Sequence, residues 1–268
     1  MKIKFGFIGC GNMGGALATA VAASVPADQI AVCDAFAQKA EDFANAHSVC
    51  LSSAQQIAKN AEFIFLGVKP QAFGSLFEEI APILKERADH FVLVSMAAGL
   101  SVSAIEKYAA CDCAVIRIMP NTPVAVGQGV ILYTANQKVE QTDLKAFQSG
   151  LSKAGLLDAI AEEKINAASA LSGCGPAFVA MFAEALADGA VECGLPRDQA
   201  NLYAAQTLLG TAKLILESGK HPGQIKDAVC SPGGTTIAGV HALEDGAFRA
   251  SVSDAVLAAY ERTLQLKK

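Results

Sequence analysis

Lys4-Phe5-Gly6-Phe7-Ile8-Gly9-Cys10-Gly11-Asn12-Met13-Gly14 decides the fold. An apolar run from Lys4 to Gly9 passes into glycines spaced Gly-x-Gly-x-x-Gly, then into a helical pattern of small residues that continues to about Ala23. A strand that turns this sharply into a helix starts a dinucleotide-binding unit. The first glycine makes the tight turn, the second lets backbone approach a pyrophosphate, and the third lets helix pack on strand. The N–H groups and positive dipole end of such a helix favour an anion. Gly9, Cys10, Gly11, Asn12, Met13 and Gly14 are therefore candidate cofactor contacts, although a glycine-rich loop without a ligand carries the same spacing.

Outward from this turn, a second strand at Ile30 to Cys33 ends at Asp34, twenty residues past Gly14. An acidic residue at that distance commonly meets the adenosine ribose hydroxyls and favours NAD over NADP. A helix-capping aspartate reads the same way, so both roles stay open for Asp34. Strand-like runs follow at Phe63 to Val68, Phe91 to Ser95 and Ala114 to Met119, separated by helical patterns. That alternation predicts a mostly parallel, doubly wound sheet, a Rossmann domain, with ligands beyond the carboxyl ends of its strands. Three polar clusters fall at those ends: Val68-Lys69-Pro70, Ser95 to Gly99 around Ala97, and Met119 to Pro123, where two prolines hold Asn121 and Thr122 in a non-helical turn with Pro123. Together they predict a cofactor rim. A closing region at Val130 to Tyr133, Thr142 to Leu151 and Gly155 to Leu157 completes the domain.

Near residue 160 the character changes. Residues 1–160 read as the Rossmann domain and 161–268 as an all-α domain. Leu171-Ser172-Gly173-Cys174-Gly175-Pro176-Ala177-Phe178 interrupts one long helical pattern, because Pro176 lacks an N–H and the glycines weaken the turn before it. Patterns at Phe178 to Cys193 and Gln199 to Glu217 are apolar over wide faces, which predicts a homodimer. Near the C-terminus comes Ser231-Pro232-Gly233-Gly234-Thr235-Thr236, a turn leading into a helical pattern that runs on towards Arg249. It presents backbone N–H groups and hydroxyls to a small anion, though Ser, Thr and Gly more commonly serve only to cap a helix.

Composition excludes other classes. A net charge of −5 gives no sign of nucleic-acid or anionic-membrane binding. No export signal is visible after Met1 and no run is expected to span a bilayer, so a cytoplasmic protein is expected. The eight cysteines and four histidines lack metal-ligand spacing, so reduced thiols and no metal site are expected.

The turn at Gly9 to Gly14, Val68-Lys69-Pro70, Met119 to Pro123, Ser172 to Phe178 and above all Ser231 to Arg249 together resemble pyrroline-5-carboxylate reductases, end to end. Cys174 and Phe178 stand where that family more often has serine and tyrosine. The resemblance implies a Rossmann domain followed by a helical dimerisation domain; family members form dimers, and some assemble five dimers into a ring. It implies reduction of a cyclic imine bearing a carboxylate, pyrroline-5-carboxylate, to L-proline. Family habit favours NADPH, whereas Asp34 leans towards NADH. It further implies that Ser231, Gly233, Gly234, Thr235 and Thr236 hold the carboxylate, with Thr236 facing the imine nitrogen. In this scheme the N–H groups of Gly234, Thr235 and Thr236, with Ser231, grip the acid. Thr236, a poor acid, orients and polarises the C=N bond. A β-hydroxyacid dehydrogenase would need a catalytic lysine on the helix after the second glycine-rich turn, but Cys174 to Glu184 contains none. A non-catalytic nucleotide sensor would have no use for Ser231 to Thr236.

Overall fold

The computed structural model describes residues 3–265. Contacts divide the chain into two units, one running to Gly173 and rejoined by the chain end from Arg262, the other Cys174–Glu261.

In the first unit, β1 (Ile3–Ile8), β2 (Ile30–Cys33), β3 (Cys50–Leu51), β4 (Ala61–Leu66), β5 (Val92–Ser95), β6 (Ala114–Pro120), β7 (Gly129–Ala135) and β8 (Gly155–Ala159) form one sheet. Its order is β3-β2-β1-β4-β5-β6-β7-β8. All neighbours run parallel except β6 and β7, which are antiparallel. Seven helices accompany the strands: α1 (Asn12–Ala22), α2 (Ala37–His47), α3 (Ala54–Asn60), α4 (Phe73–Glu86), α5 (Val102–Ala109), α6 (Gln141–Gly150) and α7 (Ile165–Ser172).

The central strands are apolar on both faces, as a sheet covered on both sides requires. Register pairs Phe5 with Phe63 and Phe7 with Phe65, and these rings stack at 5.2 and 4.5 Å between centroids. Each is completely buried, which stabilises the fold by about 1.5–3 kcal/mol per ring. Ile64, Leu66 and Leu93 build a second core on the other face, with Ile57, Phe73 and Ile80 from the helices. Strand order reverses direction between β1 and β4, so the crevice for a ligand opens where Ile8 and Leu66 end.

The expected strands and helices are present with boundaries moved by a few residues. Strand β3 was not expected, because two residues at a sheet edge leave no alternation to read. The contact division falls later than the change of character near residue 160, since α7 packs against β7.

The second unit is helical throughout: α8 (Gly175–Glu192), α9 (Arg197–Ser218), α10 (Pro222–Val229), α11 (Thr235–Asp245) and most of α12 (Phe248–Gln265). Helix α8 starts at Gly175, three residues before the expected Phe178, with Pro176 in its first turn after the break at Gly173 and Cys174. Its buried apolar core is small: Ala187, Ala200 and Ala204, where α8 meets α9. Large apolar side chains face outward, Met181 at 69% and Leu216 at 82% exposure. Phe178, Val179, Met181, Phe182, Leu243 and Phe248 border an apolar hollow of about 540 Å³. One expectation is corrected: the stretch Glu162–Glu192 is long and apolar enough to cross a membrane by length and composition, an 18-residue window within it having a mean hydropathy of 1.4. Polar punctuation at Ser172 to Cys174 hid that length in the sequence.

Candidate active site

Gly9 follows β1 with φ +105°, a conformation side chains rarely adopt. Its N–H donates to the Cys33 carbonyl at 2.8 Å, and the Gly67 N–H donates to the Ile8 carbonyl at 2.8 Å. The two backbones touch: a methyl on Gly9 would lie 2.7 Å from the Gly67 carbonyl oxygen, and one on Gly14 would overlap the Gly9 carbonyl oxygen. Gly67 is a member of this site that motif reading missed, since its spacing to the first turn is not local.

Gly11 caps α1 without any side-chain hydrogen bond, and nothing lies within 4 Å of where its Cβ would be. The helical ladder begins with the Gly15 N–H donating to the Gly11 carbonyl at 2.7 Å. The N–H groups of Asn12, Met13 and Gly14 therefore have no partner within the helix. Open space over bare first-turn donors is the cradle a pyrophosphate requires, so this turn fits a dinucleotide.

Asp34 is built into the same turn. Its Oδ2 accepts the Cys10 N–H at 2.7 Å and its Oδ1 accepts the Phe36 N–H at 2.9 Å. Helix α2 is capped at Phe36, so Asp34 is not a helix cap. A cavity of about 430 Å³ opens here, lined by Gly9, Asp34, Ser53, Val68, Ser75 and Glu79 among others. Burial and the Asp34 carboxylate push the Cys10 thiol up to about 11. Burial chiefly pushes Cys33 up to about 12. Both thiols are neutral at physiological pH.

The other expected rim residues divide by role. Val68 lines the cavity. Exposed Lys69 caps a short 3-10 turn that begins at Pro70. Ala97 is buried, and its N–H donates to Ser95 Oγ at 3.3 Å. Thr122 and Pro123 open a second 3-10 turn that packs against α1. Asn121 is buried and committed at both ends of its amide: Nδ2 donates to the Ser172 carbonyl at 2.9 Å, and Oδ1 accepts the Val130 N–H at 2.8 Å. Arg117, which sequence reading passed over, is buried in β6 and donates to Glu162 Oε1 at 2.9 Å. That oxygen also accepts the Val102 N–H at 2.8 Å. A lone arginine in an apolar strand was the available signal.

In the second unit, the chain turns between α10 and α11. Gly233 has φ +66°, and the Gly234 N–H donates to the Ser231 carbonyl at 3.0 Å. This corrects the expected donor set, because Gly234 spends its N–H on closing the turn. The donors of the first turn are Thr235, Thr236 and Ile237, since the ladder starts with the Ala238 N–H on the Gly234 carbonyl at 3.4 Å. A methyl on Gly234 would overlap Ser231 Oγ, so that hydroxyl sits at the helix start. Among the described residues, the hydroxyls of Ser231, Thr235 and Thr236 make no hydrogen bond within the chain. Nearby cations are already paired: Lys226 with Asp227 at 2.9 Å and Arg249 with Glu244 at 2.6 Å. An anion here would meet backbone N–H and hydroxyl donors. No cluster of metal-binding side chains occurs among the described residues.

Residues 162–266 match the family described as pyrroline-5-carboxylate reductase dimerisation, and residues 4–99 match NADP oxidoreductase coenzyme F420-dependent. The chain is 40% identical over 271 aligned positions to the pyrroline-5-carboxylate reductase of Escherichia coli (strain K12), covering all of both chains. The chain belongs to the pyrroline-5-carboxylate reductase family. The reductase of Synechocystis sp. is likewise 40% identical with full coverage of both. Among solved structures, the Coxiella burnetii reductase superposes with a TM-score of 0.90 at 32% identity, covering all of both chains. The Plasmodium falciparum reductase, solved with NADP bound, gives 0.85 at 31%, covering 99% of this chain and 98% of that one. Membership of this reductase family accounts for the outward apolar surface of the second unit, because that unit lies within the dimerisation domain.

Proposed function

We propose that this chain reduces 1-pyrroline-5-carboxylate to L-proline, the last step of proline biosynthesis, with NADPH or NADH as reductant. One observation carries the reading: the chain matches reductases of this activity from end to end at 40% identity while keeping both a bare dinucleotide turn and a bare anion turn. The nicotinamide, when bound, supplies the hydride. Gly9, Cys10, Gly11, Asn12, Met13 and Gly14 cradle the pyrophosphate, with Asp34, Val68, Lys69, Pro70, Ala97, Thr122 and Pro123 around them and Asn121 holding the loop through its bonds to Ser172 and Val130.

At the other turn, the N–H groups of Thr235 and Thr236 and the Ser231 hydroxyl hold the substrate carboxylate by charge-assisted hydrogen bonds, while Gly233 and Gly234 shape the turn. Thr236 Oγ1 orients the imine nitrogen, and water or the already protonated iminium supplies the proton. The working form is a homodimer formed through the helical unit, located in the cytoplasm. The test is oxidation of NADH and NADPH followed by absorbance, with pyrroline-5-carboxylate and with 3-hydroxyacids in the reverse direction. Turnover of the imine with production of proline is expected; turnover of hydroxyacids alone would replace this reading with that of a β-hydroxyacid dehydrogenase, and binding without any turnover with that of a sensor.

A further inference from the structure

We infer that Arg117 and Glu162 are positioning residues for hydride transfer, a buried clamp that fixes the loop of residues 96–101 on the nicotinamide side of the cofactor site. The inference rests on the dinucleotide reading above and adds two residues that lie outside both turns.

A dinucleotide with its pyrophosphate on α1 spans the point where strand order reverses, one half over β2 and the other over β4, β5 and β6. The adenosine half belongs on the β2 side, so the nicotinamide half meets the loops that leave β4, β5 and β6. Residues 96–101 leave the sheet after Ser95 and enter α5 at Val102. Within the loop the Ala97 N–H donates to Ser95 Oγ at 3.3 Å and the Leu100 N–H to the Ala97 carbonyl at 3.4 Å. Its far end is tied down by Glu162, whose Oε1 accepts the Val102 N–H at 2.8 Å across 60 residues of sequence. The same oxygen accepts Arg117 Nη1 at 2.9 Å. Arg117 pairs with Ser95 in the register of β5 and β6, and paired residues share a face of the sheet. One ion pair thus joins both ends of the loop.

This pair is a poor device for stability alone. Arg117 is 2% exposed, and its Nε and Nη2 are buried without a partner among the described residues. A buried charge with unmet donors is costly, and an apolar side chain of similar size often serves a core as well or better. Departures from good packing concentrate at functional sites. Glu162 is a third exposed and borders an open hollow with Val102, Ser103 and Glu106, so it stays hydrated when the arginine is replaced.

The experiment compares the intact protein with Arg117→Met, Arg117→Lys, Glu162→Ala and the double variant Arg117→Met/Glu162→Ala. It reads amide hydrogen exchange, NADPH affinity and emission by nicotinamide fluorescence, and kcat and KM with pyrroline-5-carboxylate. Arg117→Met should speed exchange at residues 96–104 by about 10-fold or more, without speeding it across the sheet. Its kcat should fall by about 10–100-fold, the cost of misplacing a reactant by about 1 Å, while the NADPH dissociation constant moves by less than about 3-fold. Glu162→Ala should match it, and the double variant should be no worse than either, as residues acting through one contact require. Arg117→Lys should recover part of kcat, because an ammonium can make the single bond to Glu162 that the guanidinium makes. Unchanged exchange at residues 96–104 in Arg117→Met and Glu162→Ala overturns the inference, and so does a loosened loop with normal kcat. Faster exchange over the whole sheet, with NADPH affinity and kcat falling together, is the result of a purely structural pair and overturns it too. Should Arg117→Met fail to fold, Arg117→Lys and Glu162→Ala carry the same test. A wild type that binds NADPH without imine turnover sinks the proposed function. The clamp is then decided by exchange at residues 96–104 and by the emission of bound NADPH, which a loosened loop should shift towards that of free cofactor.

Discussion

The nucleotide turn makes a demanding prediction, because two of its glycines are needed for different physical reasons. Gly14 is small so that the protein can fold, and Gly11 is small so that a ligand can approach. A methyl on Gly14 would overlap the Gly9 carbonyl oxygen, a backbone atom that cannot rotate away. Overpacking of this kind costs about 1–3 kcal/mol, offset by the roughly 1 kcal/mol that alanine gains over glycine in a helix. Gly14→Ala should therefore lose up to about 2 kcal/mol of stability, and cofactor affinity with it as the turn opens. Gly11 has nothing within 4 Å of its Cβ position. Gly11→Ala should cost only the fraction of a kcal/mol, up to about 1, that separates alanine from glycine at a helix cap. Yet its methyl intrudes where backbone donors face the pyrophosphate, and losing a charge-assisted hydrogen bond of about 1.5–3 kcal/mol weakens binding by about 10–100-fold. Urea unfolding and nicotinamide fluorescence measure the two quantities separately. The reasoning is refuted if Gly11→Ala binds NADH and NADPH normally.

Thr236→Ala should lower turnover of pyrroline-5-carboxylate by about 10–1,000-fold, the range of one positioned polar group; unchanged steady-state kinetics would remove Thr236 from the mechanism. Asn121→Ala should lose about 1–3 kcal/mol of stability, because it strands the half-buried Val130 N–H and Ser172 carbonyl. Its cofactor dissociation constant should not move if Asn121 serves the scaffold, so a large increase would make it a cofactor ligand instead. Cys10, Cys33 and Cys113 are raised from 9.0 to about 11, 12 and 12. Above pH 9 the unfolded chain releases protons that the folded chain keeps, so stability should fall as pH rises through 9 towards 11. The decline in melting temperature should be shallower for Cys33→Ala, and identical slopes would refute the linkage. Met181→Asp, a charge on the exposed apolar face of α8, should shift the dimer towards monomer in sedimentation velocity without changing helix content.

What could be read in the chain, and what could not, follows from the range of each interaction. The strand, the turn and α1 were legible because glycine's missing side chain and a short apolar run act within a dozen residues. The parallel sheet was legible because strands alternating with helices leave few other arrangements. Gly67 was not, since its need for smallness comes from Gly9, far away in sequence and adjacent only once β1 pairs with β4. Asn121 shows the same limit from the other side. A polar residue between two prolines at a strand end looks available to a ligand, and only its partners at Val130 and Ser172 show that its amide is already engaged.

Gly234 makes the point at the scale of a single hydrogen bond: the sequence pattern foretold a turn feeding a helix, but not that the turn would use that residue's donor on the Ser231 carbonyl. The consequence is functional. It moves the anion-facing donors one residue onward, to Thr235, Thr236 and Ile237, and leaves the threonine assigned to the imine nitrogen among them. One residue can then grip the acid through its backbone and orient the adjacent C=N bond through its side chain, which ties the two ends of a small rigid substrate to a single position in the chain.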